Sequence, residues 1–161
     1  PKGQFPDWRK KLNATWLHVD TPFVLDGRSW NSVQHYVQAD KFRANFPEFY
    51  VKFTADSGSD ISTDMQLALA AGSKNGMHGS NQIRPLGVKI DPTYTAVRGE
   101  EAMRVATTAK FEKVRHFREL LLELLVQGLC RLVPRKWVHR QTAPTTWLAQ
   151  KTVCPVMDLG S

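Results

Sequence analysis

Hydrophobic and polar positions recur along much of this chain with the period of an α-helix. The clearest case is the segment 32–43, where one side is apolar and another carries long polar side chains. The apolar side consists of Val33, Tyr36 and Val37, and the polar side of Gln34, Gln38 and Lys41. By spacing alone, the pattern favours an ordinary amphipathic helix with a solvated polar face.

Turn and cap residues precede this helix. Asp26-Gly27 predicts a tight turn, because glycine tolerates positive φ and aspartate bonds its own backbone. Asn31 or Ser32 is expected to cap the helix. Asn31 and Gln34 also have the spacing of a capping box.

The remaining pattern predicts four more helices and two strands. The helices cover 47–53 with Pro47 in the first turn, Ser62 or Thr63 through Leu69 with a stop at Gly72, 99–111 and 113–126. The strands cover 16–24 and 83–90, with a kink at Pro85. Residues 72–76 could cradle a phosphate through backbone N–H groups, but a loop of this composition is more typical of a plain connector.

Two blocks of sequence carry a family resemblance. LDG (25–27) followed by WNSVQHYVQADKF (30–42) resembles the opening motif of the NADAR/YbiA-like N-glycosidase superfamily. EAMRVATTAKF (101–111) resembles the family's M-x-x-A-x-x-A-K-F helix. Between them, FPEFY (46–50) and ADSGSDIS (55–62) look like the eukaryotic and large-virus branch. The resemblance covers roughly residues 16–125.

The resemblance implies a single compact YbiA-like domain of α+β class, mostly helical, over residues 16–126. A polar lead-in (1–15) would precede it, and a divergent basic segment (127–161) would follow it. Family members cleave N-glycosidic bonds of riboflavin-pathway intermediates or of ADP-ribose attached to guanine. Such chemistry needs a carboxylate to activate water or stabilise an oxocarbenium ion, and cations to hold phosphate.

The chain departs from the family where a carboxylate is expected. Gln34 occupies the position of the glutamate in the family's S-V-E-H motif. An amide cannot act as a general base and carries no charge. It can still orient a water or a ribose hydroxyl. Asp26, Asp40 and Asp56 are the carboxylates nearby in sequence, and the sequence assigns none of them to the missing role.

The resemblance also implies a set of site residues. Gln34 and Lys41 hold the catalytic positions, and the substrate-binding candidates are Trp30, Tyr36, Gln38, Arg84, Arg104 and Lys110. Lys41 and Lys110 would line a phosphate pocket, or else cover apolar neighbours with their stems. Trp30 would stack on a base or belong to the core. Arg84 is a phosphate-clamp candidate because a guanidinium fork fits phosphate.

Small residues along the second motif helix suggest a structural role for one of its sides. Ala102, Ala106 and Ala109 form a stripe that would let another helix approach closely. After about Leu125 the chain diverges from the glycine-rich family ending, through a frameshift, an alternative exon or simple divergence. Only Arg135-Lys-Trp137 is similar to that ending.

Composition suits one globular domain with an anionic partner. The 161 residues are 42% hydrophobic and 23% charged, with a net charge of +7. This charge favours a phosphorylated nucleotide, a nucleic acid or a ribonucleoprotein, or else simply reflects basic ends. The excess comes largely from Arg9, Lys10 and Lys11 near the start, and from Arg131, Arg135, Lys136, Arg140 and Lys151 near the end.

Other chemistry receives little support from the sequence. No apolar run is long enough to span a membrane, since Glu123 interrupts the leucines of 120–126. Cys130 and Cys154 lack metal or disulfide spacing, which indicates free thiols in a reducing, intracellular compartment, cytoplasmic or organellar. The five histidines show no paired metal-ligand spacing, so no metal and no cofactor are expected.

Three functions are compatible with these patterns. The chain is an active N-glycosidase on a ribosylated, phosphorylated substrate, or an impaired relative that binds such a ligand. Alternatively, it is a structural or RNA- and protein-interaction subunit with a basic tail. Gln34 and the altered ending favour the second and third functions, whereas Trp30, Lys41, Arg104 and Lys110 favour the first and second.

Overall fold

Helices and two short antiparallel hairpins make up the part of the chain that the computed structural model describes, residues 7–126. In chain order the elements are α1 (Trp8–Leu12), β1 (Phe23–Leu25), β2 (Arg28–Trp30), α2 (Val33–Asp40), α3 (Pro47–Val51), α4 (Asp60–Thr63), α5 (Met65–Ala71), β3 (Met77–His78), β4 (Asn81–Gln82), α6 (Tyr94–Val97), α7 (Gly99–Lys113) and α8 (Arg115–Val126). The expected α+β class, mostly helical, is confirmed.

The first hairpin turns at the predicted place. Asp26 and Gly27 have φ of 53° and 71°, the left-handed pair that a two-residue hairpin turn requires. Phe23 pairs with Trp30 across the hairpin. The strand predicted over 16–24 is wrong for most of its length, because β1 begins only at Phe23, after Pro22, which has no N–H for a ladder.

Helix α2 is the centre of the domain. Ser32, one of the two expected caps, accepts the backbone N–H of His35 at 3.2 Å. Asn31 forms no capping box and instead donates to the carbonyl oxygen of Ser62 at 2.9 Å. The alanine stripe of α7 is buried, as its small residues predicted, and α7 packs on α2.

The predicted start of the helix that corresponds to α5 is wrong. Asp64, not Ser62 or Thr63, caps α5, and its carboxylate accepts the N–H groups of Gln66 and Leu67. The extended backbone of Asp64 ends α4 and separates it from α5. Ser62 and Thr63 therefore fall inside α4. Gly72 ends α5 as expected.

Residues 83–90 do not form the predicted strand. A turn closes by the hydrogen bond from the N–H of Val88 to the carbonyl oxygen of Pro85, at 2.9 Å. Arg84, immediately before it, turns its side chain inward and is 8% exposed. The apolar residues of 83–90 therefore pack against the core from a loop and do not form a β-strand.

Residues 7–15 belong to the folded domain, although the sequence suggested a polar lead-in. Trp8 of α1 is buried. The N–H of Gln34 donates to the carbonyl oxygen of Ala14 at 3.0 Å. The Lys110 ammonium donates to the carbonyl oxygens of Lys11 and Asn13 at 2.6 and 2.9 Å. Backbone hydrogen bonding therefore ties this segment to α2 and α7.

Aromatic rings fill the core around α2. Trp30 meets the rings of Tyr36 and Tyr50 edge to face, with centroids 5.1 and 5.5 Å apart. A second group beyond α2 contains Phe42, Phe49 and Phe53. These core residues pack against α2 and determine which of its polar side chains reach solvent.

Candidate functional site

Helix α2 and the residue after it carry two groups of polar side chains on opposite sides. Gln34, Gln38 and Lys41 are spaced i, i+4 and i+7 and share one side, which we name the glutamine–lysine row. Tyr36 and Asp40 lie roughly 200° around the axis, since each residue turns a helix by about 100°. We name them the tyrosine–aspartate group.

Hydrogen bonds in the glutamine–lysine row run in one direction. Lys41 Nζ donates to Gln38 Oε1 and to the carbonyl oxygen of Gly72, both at 2.6 Å. Gln38 Nε2 donates to Gln34 Oε1 at 2.9 Å. Gln38 is buried, whereas Gln34 and Lys41 are partly exposed. Both ends of the row are therefore accessible to a ligand.

Arg84 braces the C-terminal end of α5 beside this row. Its guanidinium donates to the carbonyl oxygens of Ala71, Ser73 and Lys74 at 2.6 to 2.9 Å. The Ala71 carbonyl belongs to the last turn of α5, and those of Ser73 and Lys74 follow the helix, at the end where the helix dipole favours a cation. The predicted phosphate clamp thus has most of its donors bound to backbone and little exposed surface.

The loop after α5 fits the connector interpretation better than the phosphate cradle. Its carbonyl oxygens converge on Lys41 and Arg84. The N–H of Gly76 donates to Ser73 Oγ, and the N–H groups of Gly72 and Ser73 donate to carbonyls of α5. A phosphate cradle needs converging free N–H groups, and here three of them are occupied.

Two cations meet at this helix end without an acidic partner. Within residues 7–126, neither Lys41 nor Arg84 forms an ion pair with a carboxylate. Burial lowers the pKa of both side chains, and the charge of Arg84 lowers the pKa of Lys41 further. An anion at the exposed end of Lys41 would offset this uncompensated positive charge.

The tyrosine–aspartate group is a closed network. The fully buried Asp40 carboxylate accepts hydrogen bonds from Arg98 at 3.0 to 3.2 Å. Tyr36 donates its hydroxyl to Asp26 Oδ2 at 2.9 Å, and Arg43 binds the same oxygen. Burial raises the pKa of Tyr36, and the hydrogen bond to Asp26 raises it further.

The positions of Asp26, Asp40 and Asp56 show whether a nearby carboxylate could act in place of one at position 34. Asp40 projects from the side of α2 opposite to Gln34, and Asp26 is bonded to Tyr36 on that same far side. Asp56 is exposed on the 3₁₀ turn Ala55–Ser57. Asp26 and Asp40 are therefore paired structural groups and are not placed to act at Gln34.

Replacing Arg98 by Ala should lower the free energy of unfolding by about 2 kcal/mol. The change leaves Arg43, at 3.9 Å, as the one cation paired with the buried Asp40 carboxylate among residues 7–126. Because Arg98 is itself half exposed, the cost should be below that of a fully buried pair. Urea unfolding measures it. The control, Arg104→Ala, breaks an exposed pair with Glu101 and should cost about 0.5 kcal/mol or less. An equal loss of stability in the two variants would contradict the assignment of Arg98 and Asp40 as a structural ion pair.

Four of the predicted site residues lie away from the glutamine–lysine row, and Tyr36 is one of them, on the opposite side of α2 with its hydroxyl bonded to Asp26. Trp30 is fully buried and donates Nε1–H to the carbonyl oxygen of Leu25 at 3.0 Å, so it belongs to the core and offers no face to a base. Arg104 is exposed and paired with Glu101. Lys110 is 1% exposed and anchors residues 7–15, which fits neither a phosphate pocket nor a surface lysine.

His35 and Gly72 contribute to the site without having been predicted. His35 Nε2 lies 3.0 Å from the carbonyl oxygen of Ile61, and its Nδ1 lies 2.9 Å from Ser32 Oγ, so the ring locks α2 to α4. A Cβ at Gly72 would lie 2.0 Å from Gln38 Oε1. The glycine after a predicted helix was visible in the sequence, but its contact with Gln38 was not.

Two shallow grooves lie outside the row. One of about 400 Å³ is lined by residues 45–49, Lys52, Pro85 and Val88. The other, of about 420 Å³, is lined by Lys10, Asn13 and residues 15–17. Gln34, Gln38 and Lys41 line neither of these grooves, and residues 127–161 fall outside the described part of the chain.

No protein-family model, curated protein or solved structure matches this chain. Among residues 7–126, no helix has the length and apolar character to cross a membrane. The same residues contain no cluster of three or more histidine, cysteine, aspartate or glutamate side chains suited to a metal ion. Cys130, Cys154 and the basic residues from Arg131 onward lie outside the described part.

Proposed function

We propose that this chain is an N-glycosidase-like domain that binds a ribosylated, phosphorylated ligand of the ADP-ribosyl-guanine or riboflavin-intermediate type without hydrolysing it. One observation carries the proposal, the uncompensated pair of cations Lys41 and Arg84 beside Gln34 and Gln38. A phosphate supplies the missing negative charge, and the amides supply hydrogen bonds to ribose or phosphate oxygens.

The absence of hydrolysis follows from the charges near the row. The charge of Arg84 acts on Lys41 and lowers its pKa, and Lys41 forms no ion pair with a carboxylate within residues 7–126. Asp26 and Asp40 are engaged on the far side of α2. Of the carboxylates that the structure describes, none is bonded to the row, where it could pair with an oxocarbenium-like transition state or act as a general base toward water. The site is thus suited to recognition of a ligand and not to cleavage.

The Lys41→Ala variant should weaken ADP-ribose binding by about tenfold or more, because a charge-assisted hydrogen bond to phosphate contributes about 1.5–3 kcal/mol. Isothermal titration calorimetry of the 161-residue chain with ADP-ribose measures the affinity. The matched control is Lys89→Ala, an exposed lysine in the loop before α6, which should bind as the natural chain does.

ADP-ribosylated guanine serves as the second probe, with base release followed by chromatography. We expect binding and no release. Release by the natural chain would overturn the non-hydrolysing assignment. No binding of ADP-ribose, or equal losses in Lys41→Ala and Lys89→Ala, would overturn the site itself. Salt-sensitive RNA binding in place of ADP-ribose binding would instead favour an RNA-interaction subunit.

A further inference from the structure

Lys41 determines how both glutamine amides of the row are oriented. An ammonium group has three N–H donors and no acceptor, so the Gln38 atom 2.6 Å from Lys41 Nζ is the amide oxygen. The Gln38 nitrogen then points along the helix and donates to Gln34. Because that bond needs an acceptor, the Gln34 oxygen faces inward.

Hydrogen-bond donors outnumber acceptors among the groups left over at the two accessible ends of the row. Gln34 Oε1 is occupied by Gln38, whereas Gln34 Nε2 has no hydrogen bond within the described residues. At the other end, two of the three Lys41 N–H groups are used, on Gln38 and on the Gly72 carbonyl. The groups left over are therefore three donors, the two amide hydrogens of Gln34 and one ammonium hydrogen of Lys41, and one acceptor site, the second lone pair of Gln34 Oε1.

Gly72 makes this arrangement sterically possible. A Cβ at this position would approach Gln38 Oε1, Cδ and Cβ to 2.0, 2.8 and 3.0 Å. The first two atoms belong to the movable end of the side chain, but the last one is fixed to the backbone of α2. An alanine there would consequently force the Gln38 amide away from Lys41 and break the row at its middle.

We propose that Gln34 is a specificity-determining residue, held by Lys41 through Gln38 as a hydrogen-bond donor, so that the site selects an anionic phosphate oxygen. This inference rests on the proposed function and deepens it by naming the ligand group that Gln34 contacts. A carboxylate at position 34 would present only acceptors and negative charge, which repel phosphate. The residue that departs from the family motif thus changes the chemistry of recognition.

The first test needs no ligand. In ¹⁵N-labelled 161-residue protein, the Gln34 and Gln38 side-chain amide signals are identified by their loss in Gln34→Glu and Gln38→Met. The Gln38 amide hydrogens should exchange with solvent at least about tenfold more slowly than those of Gln34. Gly72→Ala should abolish this difference. Gly87→Ala is the control, because a Cβ there meets nothing within 4 Å. Equal exchange of both amides in the natural chain would overturn the proposal.

The second test uses inorganic phosphate as the probe. Phosphate should shift the Gln34 side-chain amide signals, and Gln34→Glu should weaken its binding by about tenfold or more. Unmoved Gln34 signals, or equal phosphate binding by Gln34→Glu, would overturn the proposal. These outcomes are separate from the failure of the proposed function. ADP-ribose binding that does not involve Gln34 removes only this inference, and a phosphate response without ADP-ribose binding removes only the proposed function.

Discussion

Replacing Trp30 by Ala should lower the free energy of unfolding by about 4 kcal/mol, the usual cost of deleting a fully buried tryptophan. The ring is 0% exposed, meets Tyr36 and Tyr50 edge to face, and donates to the carbonyl oxygen of Leu25. Its loss leaves a cavity beneath the start of α2 and removes one hydrogen bond to the Leu25 carbonyl oxygen. Equilibrium urea unfolding at pH 7.5 measures the change.

The same substitution at Trp16 is the matched control. Trp16 is only partly buried at the edge of the core, so Trp16→Ala should cost about 1–2 kcal/mol. A second variant, Trp30→Phe, keeps an aromatic ring and should leave ADP-ribose affinity unchanged. Similar costs at both tryptophans, or lost affinity in a stably folded Trp30→Phe, would contradict the core assignment of Trp30.

Local signals in the sequence correctly predicted the turn, the cap and the helical spacing that position the site. Asp26-Gly27 specified the turn of the first hairpin. This turn needs positive φ values at both residues, and aspartate and glycine tolerate them. Ser32 was one of two expected caps and is the one used. The periodicity of 32–43 placed Gln34, Gln38 and Lys41 together, and the structure joins them by hydrogen bonds.

Interactions between distant residues could not be predicted in the same way. Arg98 binds Asp40 from 58 positions away. Lys110 donates to Lys11 across 99 positions. The partners of Lys110 and Arg84 are backbone carbonyls, which every residue possesses and which leave no mark in the sequence. In a sequence motif, a lysine or arginine that stabilises the fold therefore looks the same as one that binds phosphate.

We assign different roles to the two opposite sides of α2, a structural role to one and the proposed ligand recognition to the other. One side holds Asp40 and Tyr36 in ion pairs and hydrogen bonds that need no ligand. The other side leaves Lys41 without a carboxylate among the described residues. Charge compensation is complete on the first side and incomplete on the second. Ligand binding is therefore expected on the side where positive charge is left over.

Lowering the pH from 7 to 4 should remove about 3 kcal/mol of stability for each of His18 and His35. Burial lowers the pKa of both rings from 6.5 to about 4, and the charge of Lys110 contributes at His18. The unfolded chain takes up these protons near pH 6.5, whereas the folded chain does not. Stability is thus full above pH 6.5, falls as the pH drops, and levels off with respect to these rings below about 4.

Urea unfolding between pH 7.5 and 4 tests this linkage. His35→Gln should be less stable at pH 7.5, because the ring joins Ser32 to the carbonyl oxygen of Ile61, but it should lose about 3 kcal/mol less on acidification. His18→Gln should show the same reduced loss. The control is His78→Gln, at an exposed residue of β3, which should follow the natural chain. An unchanged pH dependence in both buried-histidine variants would show that other groups control acid unfolding, contrary to this account.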